Sequence, residues 1–486
     1  MKKVISFLLS AIMLLSMAAC APAGTGDDSD TTTTGGDTAG QLMVGFGKAQ
    51  IDPTESVPLD GYGSTEKRMS TGLKSHVYNI AVAITDAQGN TGIMIAADLC
   101  TLKYEIAKEV RDGIEKECGV PADNVIISAI HQHSTTDMGN SKVLSAANYR
   151  DDIFIPGAIE AAKLAMENRA PATVQTASVE TENMNFVRHY IMDDGSYAGP
   201  NFGNTSLTFV GHAAEGDQVM QLVKFVREGQ TTMDGKEAKN IILVNYQGHP
   251  LIGTSGTDTN VHSDVVGVLR DELSEDLDCE VAYFSGASGN MAFSSYIKEE
   301  NITSDYKDHG KKLAKLAASA EGSYTDVELT SVKASKVVYT GECNHTEDHL
   351  LEKAQAAWDK FQANGDTSVF AQNGFNSRYH ATAIINHAKL PESIDFELFA
   401  LSFGDIAFIG APYEMFCDTG MAIKEGSPFK MTIVSTIANG SNSYMPTETA
   451  WDYNCYEKNQ CNFVRGTAEK LGDEFIGMLK DLHSQN

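Results

Sequence analysis

Short apolar runs alternate with amphipathic segments along most of the chain. Residues 77–85 and 93–97 have the composition of strands, and residues 104–118 place their apolar side chains at helical spacing. A β-branched run then begins at residue 125. A strand, a helix and a strand in this order predict a parallel βαβ unit.

The later segments extend this alternation, apart from a polar, Gly-rich and irregular stretch over residues 177–216. The predicted strands are 219–226, 240–246, 280–284, 430–436 and a hairpin of 396–402 with 406–409. The predicted helices are 153–168, 264–277, 304–320, 345–363 and 466–482, the first of them with a packing face of Ala158, Ala161, Ala162 and Ala165. We therefore predict an α/β fold (α+β mixed sheet), in which a mixed β-sheet is flanked by helices.

The first 20 residues have the features of an export signal. Lys2 and Lys3 precede an apolar core over residues 4–17, which is short for a membrane span. Small residues then lead to Cys20, as in a bacterial lipoprotein processing site. We expect cleavage before Cys20 and lipidation of its thiol, which would anchor the protein to the membrane of a bacterial cell envelope; an ordinary signal peptide that contains a cysteine is the alternative.

The amino-acid composition predicts a flexible tether that is followed by a folded domain. Residues 21–40 are mostly Gly, Thr, Asp, Ser and Ala, and predict a flexible tether before one large domain over residues 41–486. The formal charge of −28 argues against nucleic acid as a partner. Seven scattered cysteines follow Cys20 without a CxxC motif, which argues against a disulfide scaffold and against zinc held by cysteine. Cys455 and Cys461 are the best candidates for a bridge, if one forms.

A histidine pair follows the β-branched run that begins at residue 125. Side chains alternate along an extended chain, so His131 and His133 are expected to point to the same side. Two imidazoles at the end of a strand can form half of a metal site. The alternative is a pair of polar loop residues.

Three later apolar strands also run into residues that can bind metal. They lead to His249, to Glu414 and to Tyr444, respectively. Sites in α/β sheets form where strands end, and imidazoles with a carboxylate suit zinc. Singly, Glu414 could begin a solvated helix and Tyr444 could be a rim residue, but together the four positions favour a metal site.

These stretches resemble the neutral/alkaline non-lysosomal ceramidase family, in its N-terminal catalytic domain. The chain would be a divergent bacterial lipoprotein member. The matching pieces, in the family's order, are Val44-Gly45-Phe46-Gly47 with Asp52, Gly61-Tyr62-Gly63, Ala97-Asp98, His131-Gln132-His133-Ser134, Gly248-His249-Pro250, Ser263-Asp264, Gly286-Ala287-Ser288-Gly289-Asn290, Pro412-Tyr413-Glu414 and Tyr444-Met445-Pro446-Thr447.

The resemblance implies a zinc-dependent amidase. Its zinc ligands would be His131, His249, Glu414 and Tyr444, with His133 beside the metal. Family members that cleave ceramide release a fatty acid and a sphingoid base. A small-molecule or lipid amide is therefore the expected substrate.

The chain departs from the family pattern in three places. The family loop Gly-Asp-x-Ser-Pro, whose serine has been assigned as nucleophile or positioning group, reads Gly289-Asn290-Met291-Ala292-Phe293 here. Ser288 and Ser294 are the nearest hydroxyls. The turn after the histidine pair also lacks the family's Gly and Pro residues, and we expect no C-terminal β-sandwich domain. These departures put ceramide itself in question more than the metal.

A mechanism without the serine remains chemically sound, with a zinc-activated water as nucleophile. His133 would supply the leaving amine's proton, and Tyr444 would stabilise the oxyanion. Arg188 and Asn290 are the candidate substrate-binding residues, with a surface arginine as the alternative for Arg188. The alternative functions are an esterase or small N-acyl amidase on the same site, or a catalytically impaired, metal-containing surface binding protein.

Two carboxylates, Asp98 and Asp264, are candidates to orient the histidines by hydrogen bonds. The alternative for both is capping of a strand end or a helix start.

Overall fold

The apolar runs form the strands of three larger sheets and four smaller ones. A computed structural model describes residues 40–63, 67–139 and 141–485, so the predicted signal peptide, Cys20 and the tether up to residue 39 lie outside the described residues. Within these residues the strands, in chain order, are β1 Met43–Gln50, β2 Gly72–Leu73, β3 Tyr78–Thr85, β4 Thr91–Ala97, β5 Val125–Ala129, β6 Ala170–Pro171, β7 Thr173–Glu180, β8 Phe186–Val187, β9 Tyr190–Met192, β10 Tyr197–Ala198, β11 Phe209–His212, β12 Val219–Val226, β13 Ile241–Tyr246, β14 Asn260–Val261, β15 Glu280–Ser285, β16 Met291–Ala292, β17 Thr325–Val327, β18 Val332–Glu342, β19 Ser393–Phe403, β20 Ile406–Ala411, β21 Glu414–Met415, β22 Met431–Thr436 and β23 Tyr444–Met445.

The amphipathic segments form helices that lie between these strands. In the same described ranges the α-helices are α1 Tyr104–Cys118, α2 Leu144–Tyr149, α3 Ile155–Glu167, α4 Asp264–Leu277, α5 Tyr306–Ala318, α6 Leu351–Asn364, α7 Ser368–Gln372, α8 Arg378–His387, α9 Cys417–Gly426, α10 Glu448–Asp452, α11 Tyr456–Gln460 and α12 Thr467–Ser484. One π turn, Arg150–Phe154, joins α2 to α3. None of the described helices combines the length and the apolar composition needed to cross a bilayer.

Local chemistry sets several of these helix ends. α1 ends at Gly119, which has a left-handed φ of 70°. α5 begins after Asp305, whose carboxylate accepts hydrogen bonds from the backbone N–H groups of Lys307 and Asp308. α6 ends at Gly365 in the same left-handed conformation as Gly119. Glycine and aspartate at these positions therefore limit the helices to within a few residues of the predicted bounds.

Each of the three larger sheets contains one parallel pair of strands. The sheet orders are β5-β4-β3-β1-β6, β15-β13-β12-β7-β17 and β18-β19-β20-β22. The parallel pairs are β4 with β5, β13 with β15, and β20 with β22. A helix connects the strands of each pair, namely α1, α4 and α9 in turn. The described residues thus contain three βαβ units, of which the sequence predicted the first.

The predicted α/β fold is confirmed, with several mixed sheets in place of the one expected. Hydrophobic periodicity identifies a strand but not its partner, so the division into sheets was not visible in the sequence. The predicted hairpin is confirmed as β19 and β20, which pair antiparallel around Gly404-Asp405. The stretch 177–216 was wrongly expected to be irregular, because it holds the short strands β8 to β11.

The first sheet packs closely on α3. The four alanines predicted as a packing face are fully buried. Gly45 and Gly47 of β1 face this helix, and a Cβ atom at Gly47 would lie 2.0 Å from the carbonyl oxygen of Ala161. The prediction of a helix packing face is therefore confirmed, and the small residues on both elements allow the close approach.

The first and third sheets are joined at the ends of their parallel strands. Ile127 donates its backbone N–H to Asn439 Oδ1 at 3.0 Å, and Asn439 Nδ2 donates to Val125 O at 3.1 Å. The Ser435 hydroxyl donates to Ser128 Oγ at 2.9 Å. These contacts place the segment that follows β22 alongside β5.

The cysteines are free thiols at all seven positions in the part of the chain that the structure describes. Cys455 Sγ donates to Ala450 O, whereas Cys461 Sγ donates to Phe463 O. The candidate bridge between Cys455 and Cys461 is thus absent, since the two thiols bind different carbonyl groups.

Candidate metal centre

The predicted metal-binding residues follow the carboxyl ends of strands in different sheets. His131 follows β5, and His249 follows β13. Glu414 follows β20 and pairs with Tyr444, its cross-strand neighbour in the small parallel sheet of β21 and β23. Because all these strands end at the same place, residues far apart in the sequence meet there.

The backbone at His131 is not extended. Its φ of 67° is left-handed, and its N–H donates to Leu99 O at 2.9 Å. His131 and His133 were expected to point to the same side of an extended chain, and the extended backbone is wrong because the strand ends at Ala129. The two rings are nevertheless adjacent, with centroids 4.8 Å apart.

Backbone carbonyl groups orient the rings of His131 and His249. The Nδ1 atom of His131 lies 2.8 Å from Cys100 O, and that of His249 lies 3.0 Å from Met291 O. A neutral ring that donates from Nδ1 has a lone pair on Nε2. Both Nε2 lone pairs then point toward the carboxylate of Glu414.

Two imidazole nitrogens and one carboxylate oxygen consequently lie close together in the protein interior. Glu414 Oε2 lies 3.1 Å from His131 Nε2 and 3.3 Å from His249 Nε2. It has no hydrogen-bond partner among the described residues. Ligand atoms of one tetrahedral zinc ion are about 3.3 Å apart, given bonds of about 2.0 Å. The donor types, their spacing and the unsatisfied oxygen all fit a cation held between these side chains.

Tyr444 completes the set. Its Oη lies 3.4 Å from His249 Nε2, and the tyrosine is 9% exposed. The four predicted ligands are thus brought together by the fold, and their role in binding a metal stays a prediction.

The charges of the cluster depend on one another. Burial alone would raise the pKa of the Glu414 carboxyl, but the rings of His131 and His249 hold it well below its ordinary value. Burial would lower the pKa of His131, and the Glu414 carboxylate more than offsets this and raises it. Burial and then the Arg188 guanidinium lower the pKa of His249 to about 4. The site therefore holds an ionised carboxylate at neutral pH, which favours a bound cation.

His133 lies beside this cluster. Its Nε2 is 3.5 Å from His131 Nε2, and its Nδ1 has no hydrogen-bond partner in the described part of the chain. Tyr62 packs edge-on at 5.4 Å between ring centroids. Burial, followed by the rings of His131 and His249, lowers the pKa of His133 well below its ordinary value. His133 is therefore a neutral base near the cluster.

Arg188 is buried rather than on the surface. Its Nη2 donates to Tyr444 Oη at 3.2 Å and to Gly289 O at 2.9 Å, and its Nε donates to Glu457 Oε1 at 2.9 Å. Glu457 Oε2 in turn lies 3.0 Å from His189 Nε2. The alternative of a surface arginine is wrong, and the predicted anchoring of substrate by Arg188 stays a prediction.

The predicted orienting role of Asp98 and Asp264 is wrong. Asp98 instead accepts two hydrogen bonds from Arg270, at 2.8 and 2.7 Å. Asp264 accepts from the backbone N–H groups of Val265 at 2.7 Å and Gly253 at 2.9 Å. Carbonyl oxygens do the orienting that was expected of these carboxylates.

The predicted contact of Asn290 with substrate is also wrong. Asn290 is 2% exposed, and its Oδ1 accepts the N–H of Cys417 at 2.8 Å. Its Nδ2 donates to Asp418 Oδ2 at 3.3 Å. Asn290 therefore holds the start of α9, which is a structural role.

Two cavities meet at the cluster, and His133, Tyr444, Gly61 and Tyr456 line both. The polar chamber, of about 670 Å³, is further lined by Asp60, Thr101, Lys103, Asp137, Ser441 and Gln460. The aromatic chamber, of about 280 Å³, is further lined by Tyr190, Leu251, Ile252, Ala292, Phe293 and Tyr296.

Sequence reasoning missed several of the residues near the cluster. Glu457 and Tyr456 lie on a short helix that carries no motif, so only their position in the fold reveals them. Cys100 Sγ lies 4.0 Å from His131 Nδ1. Asp60 directly precedes the Gly61-Tyr62-Gly63 turn, and that neighbourhood was the one available signal for it.

Comparisons with known proteins bear on the family and on the fold. The family model described as neutral/alkaline non-lysosomal ceramidase, N-terminal, matches residues 42–235. The fold is similar to that of neutral ceramidase from Pseudomonas aeruginosa, with a TM-score of 0.67 and 16% identity, over 92% of this chain and 75% of that one. A structure described as ceramidase complexed with C2 is similar at a TM-score of 0.66 and 15% identity, over 92% of this chain and 76% of that one. Among curated proteins, no sequence matches this chain.

The family model and the fold thus agree with each other. The predicted resemblance is confirmed: residues 42–235 match the N-terminal domain of the neutral/alkaline non-lysosomal ceramidases, and most of the chain has the fold of a neutral ceramidase.

Proposed function

We propose that the chain is a zinc-dependent hydrolase that cleaves an amide bond. The observation that carries the proposal is the buried meeting of His131 Nε2, His249 Nε2 and Glu414 Oε2, which have the spacing of ligands around one metal ion. Imidazole and carboxylate ligands of this number suit zinc. The names of the proteins with the same fold support an amide as the bond that is cleaved.

The reaction adds water across the amide. The C–N bond breaks, the carbonyl carbon gains an oxygen, and the nitrogen leaves as an amine after taking up a proton. Zinc in such a site lowers the pKa of a water ligand toward about 7 and polarises a carbonyl group. The residues of the chain supply the proton transfer and the stabilisation of charge.

His133 is the proposed proton carrier. Its ring is neutral and its Nδ1 atom has no hydrogen-bond partner among the described residues, so in this proposal it first accepts a proton from the attacking water and then passes it to the leaving nitrogen. Its position on the wall of both chambers places it between the two parts of a bound amide. The predicted proton donor is thus assigned the role of a base first and an acid second.

Tyr444 is the proposed stabiliser of the oxyanion. Its hydroxyl oxygen accepts a hydrogen bond from Arg188 Nη2, so its own proton remains for the substrate oxygen. Burial raises the pKa of Tyr444 well above its ordinary value, which keeps the phenol protonated in the protein alone. Glu457 accepts a hydrogen bond from the Arg188 guanidinium, which holds Arg188 in place and thereby positions Tyr444.

Water is preferred as nucleophile over a hydroxyl of the chain. Position 292, which carries serine in the family, is alanine. Ser288 is buried and its Oγ lies 3.3 Å from Ser285 Oγ, whereas Ser294 lines the aromatic chamber. Ser294→Ala is therefore expected to retain turnover.

Metal analysis of the purified full-length protein tests the proposal. We expect about one zinc per chain after reconstitution, its loss in His249→Ala, and its retention in His76→Ala, where the histidine is exposed. Hydrolysis of an amide panel should follow the metal content across these proteins. Absence of bound zinc in the unmodified protein would refute the metal centre.

A metal-containing surface binding protein is the second candidate, and Ala292 is the observation that favours it. Stoichiometric zinc without turnover of any amide or ester would support this candidate. Turnover of esters alone would instead identify an esterase on the same site.

We also propose that the protein is exported and held at the cell envelope by a lipid on Cys20. The charged, apolar and small-residue segments that precede this cysteine support the proposal. Cys20→Ser should move the protein from the membrane fraction to the soluble fraction. An unchanged distribution would contradict it.

A further inference from the structure

Arg68 is a buried arginine whose hydrogen bonds go to neutral oxygen atoms. It is 5% exposed, and its guanidinium donates to three backbone carbonyl oxygens and to one hydroxyl. Burial of a cation is costly unless hydrogen bonds replace the water that surrounded it. The role of Arg68 therefore lies in the groups that it binds.

The guanidinium joins three segments near the metal cluster. Its Nη2 donates to His133 O at 2.7 Å, Nη1 donates to Asp60 O at 2.8 Å, and Nε donates to Asp258 O at 2.7 Å. These partners lie 65, 8 and 190 residues from Arg68 along the chain. Nη2 also donates to the hydroxyl of Thr254 at 3.2 Å. One side chain thus holds together segments that are far apart in the sequence.

Arg68 also supports the ring of His133 through Tyr62. The guanidinium carbon lies 4.8 Å from the centre of the Tyr62 ring, and that ring meets His133 edge-on at 5.4 Å between centroids. A guanidinium on an aromatic face is attracted to the π electrons of the ring. Both the backbone and the ring of His133 are consequently held by contacts that begin at Arg68.

The imidazole of His133 has few polar restraints of its own. Its Nδ1 has no hydrogen-bond partner among the described residues, and its Nε2 lies 3.5 Å from the Nε2 atom of His131, a proposed metal ligand. The next residue, Ser134, is held separately, because its Oγ lies 3.0 Å from His262 Nε2. The position of His133 therefore depends on its packing and on the backbone hydrogen bond from Arg68.

The guanidinium of Arg68 lies outside both chambers. Arg68 is not among the residues that line them, whereas His133 lines both and Tyr62 lines the aromatic one. An effect of Arg68 on the reaction must therefore pass through these two residues. Arginine suits this place better than lysine, because its planar fork of donors can bind several carbonyl oxygens at once.

We propose that Arg68 is a positioning residue of the hydrolase, which holds His133 at the distance and orientation that proton transfer requires. The inference rests on the proposed function, in which His133 carries the proton, and adds a residue that touches neither substrate nor metal. Because Arg68 acts on a reacting group and not on the binding of substrate, its loss should lower kcat and leave KM nearly unchanged.

The kinetics of Arg68→Ala test the proposal, on zinc-loaded, full-length protein and an amide that the unmodified protein cleaves. We expect kcat to fall about a hundredfold, as for other groups misplaced by about 1 Å, with KM within about threefold and zinc content unchanged. Millimolar guanidinium ion should raise kcat of Arg68→Ala at least about tenfold, whereas ammonium ion should not, because only guanidinium reproduces the planar fork. For the same reason Arg68→Lys should lose at least about tenfold in kcat.

Arg227 offers a matched control. It is 1% exposed and also binds backbone carbonyl oxygens, those of Lys239 at 2.8 Å, Val44 at 2.9 Å and Asn168 at 3.1 Å. None of these residues lines a chamber. Arg227→Ala should lose stability as Arg68→Ala does, while kcat of the folded protein stays within about twofold of the unmodified value. Should an alanine variant fail to fold, the lysine variant at the same position keeps the comparison decisive.

Chemical modification separates this inference from the proposed function. Diethyl pyrocarbonate acylates accessible neutral imidazoles, and mass spectrometry of the digested protein locates each modified histidine. In zinc-loaded Arg68→Ala, His133 should react at least about tenfold faster than in the unmodified protein or in Arg227→Ala, because its restraint is lost. His76, whose side chain is 55% exposed, should react equally in all three proteins.

Unchanged kcat in Arg68→Ala, or unchanged reactivity of His133, would overturn the inference while the hydrolase stands. Zinc-loaded protein that cleaves no amide would instead refute the proposed function. The positioning of His133 by Arg68 would then be decided by the reactivity of the imidazole alone.

Discussion

The ring of His133 is held so closely that position 61 has room for glycine alone. Gly61 has a φ of 103°, and a Cβ atom there would lie 2.3 Å from Cγ of His133. Gly63 has a similar φ of 82°, but a Cβ atom there would meet nothing within 4 Å. Both glycines have a left-handed backbone, but only at Gly61 would a side chain clash with His133. Substitutions at the two positions therefore separate the energetic cost of the backbone conformation from the effect of displacing His133.

Gly61→Ala is therefore expected to displace His133 and to reduce kcat/KM for a cleaved amide about a hundredfold, as a misplacement of about 1 Å does in other sites. Zinc content should stay at the wild-type level. Gly63→Ala is the control and should lose only stability, by about 1 kcal/mol. Equal activities of the two variants would exclude a role for His133 in the reaction.

Burial of His309 makes the free energy of unfolding depend on pH. It is 1% exposed, its ring lies 5.1 Å from that of Phe293, and burial lowers its pKa to about 4. The unfolded chain binds the proton near pH 6.5, whereas the folded protein does not. The folded state consequently loses stability as the pH falls from 6.5 toward 4, by about 3 kcal/mol in total.

His309→Gln should remove this part of the pH dependence. Urea unfolding at pH 7 and pH 4.5 would measure it, and the variant should lose less stability between the two values than the unmodified protein. His349→Gln, which changes an exposed histidine, should behave as the unmodified protein does. Parallel losses in all three proteins would contradict the assignment.

Among the secondary structure elements, β1 and α3 show how side-chain size governs their packing. Gly45 and Gly47 occupy the strand face that meets the buried alanines of the helix, and no larger residue fits between the two backbones. The glycines of β1, the strand that carries the first family motif, therefore allow it to pack closely against α3. Such an interface tolerates little added volume.

Gly47→Ala should lower the free energy of unfolding by about 3 kcal/mol, because its Cβ would meet a backbone oxygen that cannot move alone. Gly477→Ala is the control: this glycine lies in the interior of α12 with nothing within 4 Å of an added Cβ. It should stabilise the protein by about 1 kcal/mol. Denaturant midpoints would compare the two, and a neutral Gly47→Ala would refute the tight packing.

In the body as a whole, the candidate metal centre lies where the three βαβ units end. His131, His249 and Glu414 follow one parallel strand of each larger sheet. A cation at this place would connect three sheets that otherwise meet through side-chain packing and a few bonds such as those of Asn439. Binding to the folded state alone stabilises it by mass action.

Removal of zinc by a chelator should therefore lower the Tm of the unmodified protein. At zinc concentrations about a thousandfold above Kd the difference amounts to about 4 kcal/mol. Glu414→Gln should have a Tm that does not respond to the chelator, because the ligand charge is gone. A chelator response that persists in this variant would place the metal elsewhere.

The resemblance carried by short motifs predicted the four candidate ligands. Periodicity predicted nine of the strands and six of the helices close to their observed positions, but it missed the long strands β1, β7 and β18. Asp98 and Asp264 were assigned the wrong role because a carboxylate at the end of a strand or the start of a helix does not reveal which donor it will meet. Arg270, the true partner of Asp98, lies 172 residues away. Long-range ion pairs of this kind leave no local pattern in the chain.

Local sequence thus determined the elements and the types of side chain at their ends, because burial periodicity and turn chemistry act over a few residues. The tertiary structure alone decided that three parallel pairs end at one place, that Glu457 and Arg188 position Tyr444, and that the cluster divides a polar chamber from an aromatic one. These features depend on contacts between residues distant in the sequence, whose geometry follows from sheet pairing and packing.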